Sequence, residues 1–252
     1  PAQHMGKILE PYANKIDPET PVLICSKGIE IASGRLLSQV LTGLFPDNPI
    51  GVMCGPTFAI EAAQGLPTAL TLAMPPRHEQ IGYDLCEAMS TQTFRLYLGD
   101  DIIGAQVGAA VKNVIAIACG ISAGRKLGDN TRAAIITRGL AEMTRLGIAL
   151  GADGITFSGL SGVGDLVLTC NAMQSRNFSL GVKIGEGQPL SKILGSRSTV
   201  SEGVHTAEAV IRLADQLKID MPICRAVNET LSGRQEIEYA IKGLLERPIK
   251  SE

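Results

Sequence analysis

Polar and apolar positions change their spacing once along this chain. In the first hundred residues, short apolar runs rich in Val, Ile, Leu and Thr end at Gly or Pro: TPVLICSKG, PIGVMCGPT, PTALTLAMP and TFRLYLGDD. Their length and their turn-forming ends predict four strands. IEIASGRLLSQVLTGLF and HEQIGYDLCEAMST lie between them with helical spacing, and residues 3–13 make a further short helix. Strand alternating with helix predicts a mostly parallel sheet with crossover helices. From about residue 102 the strand signal stops. NTRAAIITRGLAEMTRLGIALGA, capped at Asp129 or Asn130, sets Arg138 and Glu142 four residues apart, and GVHTAEAVIRLADQLKI and AVNETLSGRQEIEYAIKGLLE continue the helical pattern. The prediction is a small α/β piece followed by an all-helical one.

The junction carries the least ordinary pattern. IIGAQVGAAVKNVIAIACGISAG, residues 102–124, holds one charged side chain, Lys112, followed at once by Asn113. The run approaches the ~20 residues that a membrane span needs. Gln106, Lys112 and Asn113 argue against insertion, because a central Lys alone costs roughly 2.5–3.5 kcal/mol. A lysine on such a helix can lay its stem along the core and reach water, or be paired inside. It can also face a cleft, where burial and a second cation depress its pKa and make it a proton donor or base.

Composition narrows the classes. The 252 residues are 45% hydrophobic, enough for one large or two modest cores. With 23 Lys+Arg against 25 Asp+Glu there is no basic field for nucleic acid or an anionic membrane surface. Six widely spaced cysteines without a C-x-x-C pair, most of them in apolar runs, predict reduced thiols in a cytoplasmic protein and no metal site. PAQHMGKILEPYANKI is not a signal peptide. A nucleotide-binding sheet normally opens with a strand, a glycine-rich turn and a helix. No G-x-G-x-x-G follows a strand here, and GLSGVGDL at 159–166 has helical flanks. The sheet reads as entered in its middle, so the chain is expected to be the later part of a longer protein, weak in dinucleotide binding by itself.

Several other stretches carry candidate chemistry. Lys27 in CSKGIE sits where open α/β sheets bind ligands, and CGPTFAIEAA repeats that placement with Gly55 and Thr57. Both also read as ordinary strand-to-helix turns. GLSGVGDLVLTCNAMQSRNFSLG adds Asp165, Thr169, Ser175, Arg176 and Asn177. Alone, Asp165 is an acid favoured near a helix start and Ser-Arg-Asn a polar turn. Together with Lys112 they suit a small phosphorylated, hydroxyl-bearing substrate.

SKGIE, GPTFAIEAAQGLPTA, VKNVIAIACGISAGRKLGDNTRAAIITRGLAEM, GLSGVGDLVLTC, SRNFSLG and VSEGVHTAE stand in an order and spacing that resembles bacterial NAD(P)-dependent glycerol-3-phosphate dehydrogenases. The resemblance covers essentially the whole chain and lacks the family's first third of the nucleotide domain. It implies a partial Rossmann sheet, residues 1–103, and an all-α domain, residues 104–252, like the helical C-terminal domain of 6-phosphogluconate dehydrogenase. It implies Lys112 as the catalytic lysine, acting on the C2 oxygen of glycerol 3-phosphate. Substrate contacts are implied at Lys27, Gly55, Thr57, Lys112, Asp165, Ser175, Arg176 and Asn177. Thr57 stands where the family more often has Ser. Cofactor contacts, to NAD or NADP, are implied at Lys27, Ala59, Arg176, Val200 and Glu202. A cytoplasmic homodimer supplying glycerol 3-phosphate for phospholipid synthesis completes the implication.

Lys27 would lower the pKa of Lys112 and Asp165 would raise it, leaving the net direction open. Three other readings stay on the table. They are another two-domain hydroxyacid dehydrogenase, a lysine Schiff-base lyase, and a non-catalytic helical binding module.

Overall fold

The computed structural model describes residues 2–195, 202–246 and 248. After helical turns over residues 2–12 that include α1 (Met5–Leu9), the chain forms β1 (Val22–Ile24), α2 (Leu37–Leu44), β2 (Ile50–Cys54), α3 (Ala59–Ala63), β3 (Thr68–Ala73), α4 (Glu79–Met89) and β4 (Phe94–Gly99). All four strands fall in the apolar runs that predict them. The helix expected across residues 29–45 is shorter. Ile29 and Leu36 pair as an isolated bridge around a turn at Gly34, whose φ is 71°, and α2 starts only at Leu37.

The sheet order is β1-β2-β3-β4, with β1–β2 and β3–β4 parallel but β2–β3 antiparallel. The reversal follows from α3. A parallel return must run back the length of a strand, about 17 Å for five residues, whereas five helical residues cover about 7.5 Å.

Among the described residues only helices follow: α5 (Ile102–Gly124), α6 (Asp129–Ala149), α7 (Asp165–Asn171), α8 (Arg176–Gly185), α9 (Leu190–Gly195), α10 (Glu202–Leu217), α11 (Pro222–Leu231) and α12 (Ile237–Leu245). The predicted continuous helix at 226–246 is broken at Gly233, φ 69°. α5 is long and apolar enough to cross a membrane, but 83% of its most apolar stretch is buried in the protein. Its first turns pack Ala105 and Ala109 into the core beneath β1, β2 and α2. Farther along, Val111, Val114, Ile115 and Ile117 sit in the core of the helical part. Gln106 bonds reciprocally with Ser38 of α2, through Ser38 N at 2.9 Å and Oγ at 2.7 Å. One helix thus joins both cores.

Glu142 supports the fold in a way that its spacing from Arg138 does not suggest. It is buried, and its two oxygens accept from Ile223 N at 2.7 Å and Cys224 N at 3.1 Å, capping α11. Burial raises its pKa, and those N–H groups partly oppose the rise.

Candidate active site

Asp101 fixes where α5 begins. Its Oδ1 accepts from Gly104 N at 2.7 Å, as an acid before an apolar helical run should. Its Oδ2 accepts from Thr156 Oγ1 at 2.7 Å and Asp153 N at 3.0 Å. The same carboxylate therefore anchors the connection from α6 to α7. That connection passes through a 3-10 turn, Gly154–Ser158, and a π turn, Leu160–Gly164, before Asp165 opens α7.

Lys112 and Asp165 meet there as an ion pair, 3% and 0% exposed. Thr169 Oγ1, one turn along α7, donates to Asp165 Oδ1 at 3.3 Å. Asp165 Oδ2 is buried without a hydrogen-bond partner, and so is Thr57 Oγ1. Buried polar atoms are nearly always paired, so two such oxygens point to a group that binds there. Burial is the largest influence on Lys112 and brings its pKa down to about 8; Asp165 opposes that fall and Lys27 adds to it. The direction that charge counting left open is downward. Burial, then the Asp165 charge, pushes the neighbouring Cys54 thiol up to about 12.

Two glycines shape the sheet side. Gly55, φ 141°, ends β2 where a Cβ would stand 3.2 Å from the Leu70 backbone, so the turn into Pro56-Thr57 needs a residue without one. A Cβ on Gly164 would lie 3.7 Å from Pro56, which places this turn beside the start of α7. Gly28, φ 152°, lets the half-buried Lys27 segment pass Ala2, and its built Cβ lies 3.7 Å from Thr206 Oγ1, near the start of α10.

Asn177 is buried and spans three helices. Its Nδ2 donates to Asn113 Oδ1 at 2.9 Å, and its Oδ1 accepts from Gly203 N at 3.1 Å. Asn113 in turn donates to Ala109 O at 3.2 Å. The residue after the candidate lysine thereby ties α8 and α10 to α5. Sequence reading singled out Asn177 and did not assign this bridge to Asn113; the adjacent K-N pair was the available signal. Ser175 caps α8, accepting from Phe178 N at 3.2 Å, and its hydroxyl proton remains to donate. Arg176 is exposed at the first residue of α8, and Ala59 is exposed at the first of α3. Glu202, half-buried, opens α10 as its described residues begin; Val200 lies outside the described residues.

Lys27, Cys54 and Asp165 thus face the buried amine of Lys112, with the Gly55–Thr57 turn following Cys54, and Asn113 links α5 beside it to the Ser175–Asn177 turn. The arrangement can hold a hydroxyl or carbonyl compound, move one proton and balance an anionic tail.

The chain matches two family profiles: the N-terminus of NAD-dependent glycerol-3-phosphate dehydrogenase over residues 1–80, and its C-terminus over residues 101–242. It is 51% identical over 252 residues to glycerol-3-phosphate dehydrogenase [NAD(P)+] of Hyphomonas neptunium, covering all of this chain and 74% of that protein. The Rhodospirillum rubrum protein of the same name is also 51% identical, with 72% of its length covered. The crystal structure of glycerol-3-phosphate dehydrogenase from Coxiella burnetii superposes with a TM-score of 0.93 at 39% identity, over 98% of this chain and 75% of that one. By profile, identity and structure, the chain belongs to the NAD-dependent glycerol-3-phosphate dehydrogenase family.

Proposed function

We propose that this protein interconverts sn-glycerol 3-phosphate and dihydroxyacetone phosphate with NAD or NADP, supplying glycerol 3-phosphate for phospholipid synthesis. The observation that carries the reading is the buried Lys112–Asp165 pair, with the unpartnered Asp165 Oδ2 and Thr57 Oγ1.

Lys112 holds the proton. In oxidation its neutral amine takes the proton of the substrate C2 hydroxyl; in reduction its ammonium returns a proton to the C2 oxygen. A pKa near 8 keeps both forms accessible around neutrality. A bound nicotinamide would supply the hydride chemistry at C2, leaving the protein one proton to manage. Asp165 orients the amine through Oδ1 and leaves Oδ2 to accept from a substrate hydroxyl. Thr57 Oγ1 is a second polar atom with no protein partner to lose. Lys27, Ser175, Arg176 and Asn177 supply charge and donors for the phosphate end, which gives orientation and remote binding energy.

The residues present fit a dinucleotide on an independent ground. Lys27 stands past the carboxyl end of β1, and Ala59 past that of β2, which is the edge where open α/β sheets take such ligands. Lys27, Ala59, Arg176, Val200 and Glu202 would hold it. In this reading residues 1–103 are nucleotide-binding and residues 104–252 are substrate-binding and catalytic. The protein works as a cytoplasmic homodimer, and its six free thiols support that compartment.

The test is NADH oxidation with dihydroxyacetone phosphate, followed spectrophotometrically in the full-length protein. Lys112→Ala should lower kcat by about 10²–10⁴-fold. Near-normal turnover in that variant would end the assignment.

A further inference from the structure

The glycines of the GLSGVGDL motif remain unexplained by the nucleotide or substrate contacts. The motif forms the end of the connection that brings Asp165 to Lys112, and it runs alongside α5 in the same chain direction. A Cβ on Gly104 would stand 2.9 Å from Thr156 Cγ2, and one on Gly108 would stand 2.2 Å from Ser161 O. Four residues on, Lys112 meets Asp165. Lys112 and Asp165 are 53 residues apart, and Gly108 and Ser161 have the same spacing. The two segments are therefore in register, and the Gly108 contact lies one helical turn before the ion pair on the same face of α5.

Gly108 is helical interior, where glycine costs about 1 kcal/mol relative to alanine. The backbone of Ser161 occupies the space that a side chain would need. A methyl group there requires the carbonyl to retreat by more than an ångström before reaching the 3.4 Å of ordinary contact. The connection is itself tightly folded, since a Cβ on Gly162 would meet Phe157 O at 2.2 Å, so it moves as a unit. The displacement is therefore passed to the residues that follow, toward Asp165.

We infer that Gly108 is a positioning residue for proton transfer: its bare Cα lets the Ser161–Gly162 backbone seat against α5, which sets Asp165 against Lys112. The inference rests on the catalytic reading of Lys112 only for its effect on rate. The placement of Asp165 stands on packing alone.

The groups facing Lys112 are Asp165 and Cys170 from α7, Lys27 from the segment after β1, and Cys54 from the end of β2. Among these, Asp165 alone stabilises the ammonium by contact. Gly108→Ala moves that partner away, so the Lys112 titration should fall. The expected shift is about one pH unit, part of the roughly 1–3 units that a contacting opposite charge contributes.

The experiment is a titration of the Lys112 Cε carbon signal by NMR in the full-length protein, beside the pH profile of kcat/KM for glycerol 3-phosphate oxidation. Gly120→Ala is the control. Its Cβ would be equally obstructed, 2.1 Å from Phe178 O, but on the α8 side. Gly108→Ala should lower both the amine titration and the pH-rate limb, while Gly120→Ala leaves the amine titration in place. An unmoved titration in folded Gly108→Ala, or an equal shift in Gly120→Ala, overturns the inference. A titration that moves while the pH-rate limb does not leaves Gly108 in its positioning role and removes Lys112 from catalysis. If Gly108→Ala does not fold, Thr156→Val decides. It removes the hydroxyl that ties the same segment to Asp101 without adding bulk, and should shift the titration in the same direction by less. No shift there refutes the inference equally.

Discussion

Asp165→Asn and Lys27→Met should move the pH dependence of the enzyme in opposite directions. Burial holds the Lys112 pKa down at about 8, Asp165 supports the ammonium against that burial, and Lys27 works with it. Removing the carboxylate charge takes away the supporting influence, roughly 1–3 units for an opposite charge at contact, so the amine should titrate below about 7. At pH 7 the neutral fraction then rises from about a tenth to about a half or more. Removing the Lys27 charge relieves a repulsion, and the titration should rise toward the ordinary lysine value. Because oxidation needs the neutral amine, kcat/KM for glycerol 3-phosphate climbs as pH passes the Lys112 pKa. Its ascending limb should therefore shift to lower pH in Asp165→Asn and to higher pH in Lys27→Met. Both variants also lose substrate contacts, so their plateaus fall; the position of the limb, not its height, is the readout. Rate profiles between pH 6 and 10 measure it. Limbs that shift in the same direction, or stay in place, would refute Lys112 as the titrating base.

Other outcomes follow from the same geometry. Lys112→Met alone strands a buried carboxylate and should destabilise by about 3–5 kcal/mol, whereas Lys112→Met with Asp165→Leu should be neutral or stabilising by about 1–4 kcal/mol while inactive; denaturant midpoints compare the two. Glu142→Ala leaves the Ile223 and Cys224 N–H groups buried and unpaired, so unfolding should require about 2–4 kcal/mol less, with little change in KM. A thiol reagent should modify Cys25 readily and Cys86 more slowly, with Cys54, Cys119, Cys170 and Cys224 reacting only on unfolding; early reaction of the last four would contradict the packing of β2, α5, α7 and α11.

The strands were legible because Val, Ile, Leu and Thr runs closed by Gly or Pro are a local property, and each of the four forms where its run lies. Their relative direction was not local. The antiparallel β2–β3 pair depends on how little helix α3 provides, and a run such as GPTFAIEAAQGLP does not announce where its helix stops. Residues 29–36 show the converse failure: their helical spacing yields to the Ile29–Leu36 bridge once Gly34 turns the chain. In the site, the contacts between residues were not legible in the sequence. Lys112 stood out as a charge in an apolar run and Asp165 read as an acid near a helix start, but their pairing depends on a connection that passes through two irregular turns. Asn177 was visible as a polar candidate; that Asn113 and Gly203 occupy its amide is a fact of three helices converging. Glu142 misled by looking like half of a surface pair when its acceptors serve α11.

α5 shows why such a site is built on an apolar run at all. A buried ammonium is costly, and glycines at 104, 108, 120 and 124 each weaken the helix by about 1 kcal/mol relative to alanine. Both penalties fall on the same element, and both serve close approach: Gly108 admits the backbone of the α7 connection, Gly120 and Gly124 that of α8, and the lysine receives the carboxylate that the α7 connection carries. What offsets them is the packing of Val107, Val111, Val114, Ile115 and Ile117, all fully buried, at roughly 1.5–3 kcal/mol per side chain. Burial within the core that these side chains help to build is the main cause of the lowered Lys112 pKa. The hydrophobic residues that stabilise α5 therefore also set its proton chemistry.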